Sequence, residues 1–134
     1  MTDCNFFFQI KNRTLKLDGL ADCLVVDTFE AALELLNSSK YRENIEKIIS
    51  IGGSSVYETS MKASCFKTLY LTRVFGHFEC DIFLQPQNFL NNFKKLANSE
   101  LVEQTNQYKC DYNVQKQDSN TGIEYIFEVY EKVF

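Results

Sequence analysis

A chain of 134 residues with one proline, five glycines, 45% hydrophobic and 24% charged residues has the make-up of an ordered domain with one core, which excludes a disordered or collagen-like polymer. Its formal charge of −4 leaves no excess of Lys or Arg to neutralise a phosphate backbone, so no nucleic-acid partner is expected. Five cysteines, odd in number and without a Cys-x-x-Cys pair, argue against a disulfide framework or a zinc ribbon and point to a reducing, cytoplasmic setting.

In chain order, residues 6–10 read as a strand. Their apolar cluster lacks the basic lead and length of a secretory signal, and no stretch approaches a membrane span, so no membrane association is expected. A polar turn at Asp18-Gly19 leads to a second short apolar strand over residues 23–26. Thr28 then offers its side-chain oxygen as an N-cap, and Glu30 falls in the positive first turn of the helix that follows. Phe29, Leu33 and Leu36 recur on one helical face with Ala32, so residues 29–36 should lie against a sheet until Asn37-Ser38-Ser39 ends the helix.

Ile48, Ile49 and Ile51, interrupted only by Ser50, read as a strand buried on both faces, of the kind found in parallel sheets. Gly52-Gly53 stops it, residues 54–63 read as a short helix, and residues 68–74 as another strand. Phe89, Phe93 and Leu96 form the apolar stripe of a further short helix opening near Pro86. At the C-terminal end, residues 112–117 and 123–130 flank Asp118-Ser119-Asn120-Thr121-Gly122, a turn joining two antiparallel strands, with Ile123, Tyr125, Phe127 and Val129 facing the core. The expected fold is α/β: one domain over residues 1–134 with a mixed, mostly parallel sheet, flanking helices and a C-terminal antiparallel hairpin.

Chemistry concentrates where strand meets helix at Gly52-Gly53-Ser54-Ser55. Glycines let a ligand approach the backbone, and the free amides that follow favour an anion such as a diphosphate. By spacing alone, a Gly-Gly at such a junction is more often only a tight connection, and it has neither a P-loop lysine nor the Rossmann spacing. His77 is the lone histidine and lacks companions for a metal site.

As a string, Ile49-Ser50-Ile51-Gly52-Gly53-Ser54-Ser55-Val56-Tyr57 closely resembles the cofactor loop of dihydrofolate reductases. Further landmarks follow in order. Leu69-Tyr70-Leu71-Thr72-Arg73 resembles the next strand of that family, and Phe78-Glu79-Cys80-Asp81 its following loop. The stretch from Tyr125 to Lys132, with its string Phe127-Glu128-Val129-Tyr130-Glu131-Lys132, resembles its closing strand, in the animal-type form. The likeness runs from about Leu20 to the C-terminus and faintly back to Phe6, with residues 97–108 as an expansion that the family pattern does not need.

The resemblance implies an NADP-linked oxidoreductase of one-carbon metabolism and tetrahydrofolate biosynthesis, reducing 7,8-dihydrofolate with NADPH. It implies that Gly52 and Gly53, joined by a cis peptide, contact the cofactor diphosphate together with Ser54, Ser55 and Val56. Ile51 and Tyr57 would border the nicotinamide and pteridine, and the Thr72 hydroxyl would bond on the substrate side. Lys11 stands near the family's 2′-phosphate-binding position, while Asp27 would oppose that phosphate. Without the resemblance, Ile51 is a core residue, Tyr57 a helix-face aromatic and Thr72 an ordinary strand residue.

The family's N-terminal portion, with a Pro-Trp loop over the nicotinamide and a helix bearing the catalytic acid, has no counterpart in a sequence with no Trp and Pro86 as its single proline. The chain therefore reads as N-terminally truncated, with no catalytic residue of its own and impaired or absent turnover. Glu30, Glu58 and Asp81 are the carboxylates near the motifs, and all three read as solvent-facing. The alternatives to an enzyme are a non-catalytic NADPH-binding module and an inert fragment. Loss of central strands would leave neighbouring strands unpaired, which predicts self-association or a complementing N-terminal half.

Overall fold

The computed structural model describes residues 7–10, 23–105 and 110–133; Lys11 and the Asp18-Gly19 turn lie outside the described residues. The chain divides into two compact units, residues 1–60 and 61–134. In the first, β1 (Phe7–Ile10) and β2 (Cys23–Val26) pair in parallel, with Phe7 opposite Cys23 and Ile10 opposite Val26. Helix α1 (Phe29–Leu36) follows β2 and buries Ala32 and Leu36. Thr28 caps it as expected: its backbone is extended and its Oγ1 accepts the Ala31 amide at 3.0 Å. The unit continues into α2, Ser54–Lys62.

Residues 48–51 correct the sequence reading. They form no strand, and Ile48, Ile49 and Ile51 are 55%, 63% and 66% exposed. A β-branched run becomes a buried strand only where neighbouring strands accept its backbone hydrogen bonds, and none of the described strands pairs with it.

The second unit is built on β6 (Glu124–Lys132), the longest strand described. β3 (Thr68–Phe75) pairs with it antiparallel over eight residues, from Thr68 opposite Glu131 to Phe75 opposite Glu124. On its other side lie β4 (Phe93–Lys95) and β5 (Gln115–Gln117), also antiparallel. The mostly parallel sheet expected from the alternation of elements is thus overturned among the described residues: one short parallel pair accompanies a four-stranded antiparallel sheet.

The helix expected through Phe89, Phe93 and Leu96 is a single 3-10 turn, Phe89–Asn92, that passes into β4. Helical spacing of the three side chains could not reveal that the backbone at Phe93 is held opposite Lys132 of β6. The expansion contributes α3 (Asn98–Thr105), where the Glu100 carboxylate accepts the Ala97 amide at 2.8 Å and the Lys94 ammonium at 2.7 Å. Leu96, Leu101 and the fully buried Val129 form the core of this unit, with Tyr112 packed against them. The C-terminal hairpin forms as expected. Its turn is tied by Asp118 Oδ1, which accepts the Asn120 amide at 3.0 Å and the Thr121 amide at 2.7 Å.

Candidate cofactor-binding site

The corner between residue 51 and α2 is shaped by two glycines with different tasks. Gly52 has φ +99°, and a Cβ there would stand 2.7 Å from Cε2 and Cζ of Tyr57, so only glycine fits beneath that ring. A Cβ on Gly53 would meet nothing within 4 Å, which leaves its face open to an approaching group. The peptide joining the two is cis.

The first bond into α2 runs from the Tyr57 amide to the Gly53 carbonyl at 3.0 Å. The amides of Ser54, Ser55 and Val56 therefore precede the first intrahelical acceptor, at the positive end of the helix. Helices α1 and α3 carry Glu30 and Glu100 in their first turns, whereas the first turn of α2 holds no carboxylate. Farther along α2, Thr59 Oγ1 donates to the Ser55 carbonyl and the buried Ser60 Oγ to the Tyr57 carbonyl, both at 2.9 Å, leaving the opening turn unobstructed by either side chain.

The structure thus brings together Gly52, Gly53, Ser54, Ser55, Val56 and Tyr57. Ile51 is exposed at the entry to the corner, not in a core, and Tyr57 is also exposed. Asp27 is exposed just before the α1 cap. Thr72 belongs to the second unit, exposed on β3 opposite Phe127 and flanked on its sheet face by the exposed Tyr70 and Val74.

A charged cluster in the second unit escaped the sequence reading. The Glu128 carboxylate, its side chain only 6% exposed, takes Lys95 Nζ at 2.6 Å and Arg73 Nη2 at 3.0 Å. Tyr130 Oη donates to it at 3.0 Å and accepts from Arg73 Nη2 at 3.2 Å. Burial pushes the Glu128 carboxyl up, but donors from Lys95, Arg73 and Tyr130 outweigh it and hold the group below the ordinary glutamate range. The signal available in sequence was the alternation of β6, which sets Glu128 and Tyr130 opposite the apolar face of Phe127 and Val129. Among the described residues, no group of three or more His, Cys, Asp or Glu side chains could hold a metal ion.

Residues 11–117 match the family model described as Dihydrofolate reductase. The chain belongs to the dihydrofolate reductase family. A viral dihydrofolate reductase of Saimiriine herpesvirus 2 is 34% identical over 102 residues, covering 76% of this chain and 42% of that protein. The dihydrofolate reductase of Gallus gallus is 30% identical over 105 residues, covering 78% of this chain and 49% of that protein. In fold, the chain is similar to Schistosoma mansoni dihydrofolate reductase, with a TM-score of 0.69 and 18% identity over 93% of this chain and 61% of that one. This dihydrofolate reductase-like chain thus spans about half the length of the curated relatives it matches.

Proposed function

We propose that this chain takes part in the NADPH-dependent reduction of 7,8-dihydrofolate to tetrahydrofolate, as an animal-type dihydrofolate reductase whose two units make up a single domain. The observation that carries this reading is the corner at Gly53, open where a Cβ would stand and followed by a helix whose first turn has amides and no carboxylate. A diphosphate matches that donor set, so the residues present fit the cofactor. Gly52, Gly53, Ser54, Ser55, Val56 and Tyr57 would hold it, with Lys11 at the 2′-phosphate.

When bound, NADPH supplies the hydride that reduces the pteridine ring. The chain's own residues would bind and orient: the α2 amides would receive the diphosphate and Ile51 and Tyr57 would border the rings, while the family resemblance gives the Thr72 hydroxyl to the substrate side. A proton must also reach the pteridine nitrogen beside the reduced carbon, a step typically worth roughly 10²- to 10⁴-fold in rate. Glu30 and Asp81, carboxylates near the family motifs, are both exposed to solvent. We therefore assign the proton source to the family's N-terminal portion and hold that this chain, as a C-terminal portion, does not turn over alone. Its setting would be the cytoplasm, in keeping with the free, exposed Cys65, Cys80 and Cys110.

Because the Gly52–Tyr57 corner is intact in a chain that spans only about half the length of the relatives it matches, a non-catalytic NADPH-binding module is the second reading. A thermal-shift titration tests the cofactor claim: NADPH should raise the melting temperature in a saturable way. Absence of a shift at millimolar NADPH would remove both readings and leave an inert fragment. Oxidation of NADPH on addition of dihydrofolate to the purified chain would overturn the assignment of the proton source elsewhere.

A further inference from the structure

The end of α2 away from the cofactor corner is tied by one side chain. Lys132, the last residue of β6, sends its ammonium to the carbonyls of Met61 and Ala63 at 3.0 and 3.1 Å. Carbonyls at the end of a helix have no intrahelical donor, and an ammonium carries several, placed here where the helix dipole is negative. The amide of Lys132 donates to the Lys67 carbonyl at 2.9 Å, and its backbone stands opposite Phe93 of β4 in the sheet. The Phe66 amide adds a 3.2 Å bond to the Ala63 carbonyl, and the Phe66 ring meets Phe93 edge-on with centroids 5.9 Å apart. Lys132 therefore grips both ends of the connection from α2 to β3 and is itself held by the sheet.

We infer that Lys132 is a positioning residue for NADPH, acting on the cofactor corner through α2. The inference rests on the reading of that corner as a diphosphate site and adds what fixes its aim. α2 is one unbroken helix of nine residues, about 13 Å long at roughly 1.5 Å of rise per residue. The free amides of Ser54, Ser55 and Val56 point along its axis, so an anchor on Met61 and Ala63 sets the direction in which those amides face. The ammonium also offsets the partial negative charge at the C-terminal end, which leaves the positive end less opposed when an anion arrives. Lys62 lies in the last turn of α2 as well, with an exposed side chain, and is the natural control for charge without anchoring.

The test is NADPH titration and amide hydrogen exchange on the full chain, with folding of every variant checked by circular dichroism. Lys132→Met keeps the apolar stem and removes the ammonium, and it should weaken NADPH binding by roughly fivefold or more. It should also speed exchange of the Tyr57 amide, whose bond to Gly53 closes the first turn, relative to the amides of β6. Lys132→Arg should bring both readings back toward wild type, and Lys62→Met should change affinity by less than about twofold. Lys132→Gln, which keeps a neutral donor, should fall between the two Lys132 variants and gives the same reading should Lys132→Met not fold. A role confined to overall stability would lower the melting temperature and speed exchange of Tyr57 and β6 alike, leaving the affinity of the folded chain unchanged; that result would overturn the inference. So would a loss from Lys62→Met equal to that from Lys132→Met, or Lys132→Arg no better than Lys132→Met. A wild-type chain that binds no NADPH would remove the cofactor reading and this inference with it, whereas wild-type binding untouched by Lys132→Met would remove the inference alone.

Discussion

Gly52 and Gly53 are adjacent and chemically identical, yet the structure gives them separate duties. At Gly52 a methyl group would collide with the Tyr57 ring at 2.7 Å on a backbone with φ +99°, so a substitution there damages the corner before any ligand arrives. At Gly53 the space is empty, and Gly53→Ala should alter the unfolding free energy by less than about 1 kcal/mol. If the diphosphate rests against that face, the same variant should lose at least tenfold in NADPH affinity, read by fluorescence titration. Unchanged affinity in Gly53→Ala would remove the glycine corner from the cofactor site.

At the scale of elements, the antiparallel sheet is held by more than its ladders. Glu128 on β6 links Arg73 of β3 to Lys95 of β4, so one carboxylate ties three strands. Because its carboxyl is held below the ordinary range in the folded chain, its contribution is complete above the unfolded value of about 4.3 and is lost as pH falls through the folded value. Arg73 and Lys95 are each 42% exposed, which screens the pairs and places the cost of Glu128→Gln near the lower part of about 1–3 kcal/mol at pH 7. Urea denaturation at pH 7 and in the acid range checks this: the variant should be less stable at neutral pH and should lose stability less steeply on acidification. An unchanged acid slope would mean that Glu128 is not a principal acid-sensitive group of the sheet.

For the whole molecule, the proposal divides the reaction between the cofactor corner carried here and a proton donor carried by the family's N-terminal portion. Mixing this chain with a polypeptide bearing a Pro-Trp loop and an acidic helix should therefore produce dihydrofolate-dependent NADPH oxidation that neither gives alone. Replacing the acid in the added polypeptide should lower that rate by roughly 10²-fold or more. No rate from the mixture, where each component is folded and NADPH shifts the melting temperature of this chain, would leave the binding-module reading.

Features written in short stretches of sequence were readable without coordinates. Thr28 caps α1, Ala32 and Leu36 face inward, Asp118 ties the hairpin turn, and Gly52-Gly53 marks the corner before α2, because each depends on side chains and backbone a few residues apart. Neighbours distant in sequence settled the rest. Whether residues 48–51 become a strand, whether Phe93 joins a helix or pairs with Lys132, and whether Glu128 is buried all turn on which backbone lies alongside. Hydrophobic period reports which side of a segment wants cover, but hydrogen bonds from other strands determine whether that segment is in a sheet and in which direction.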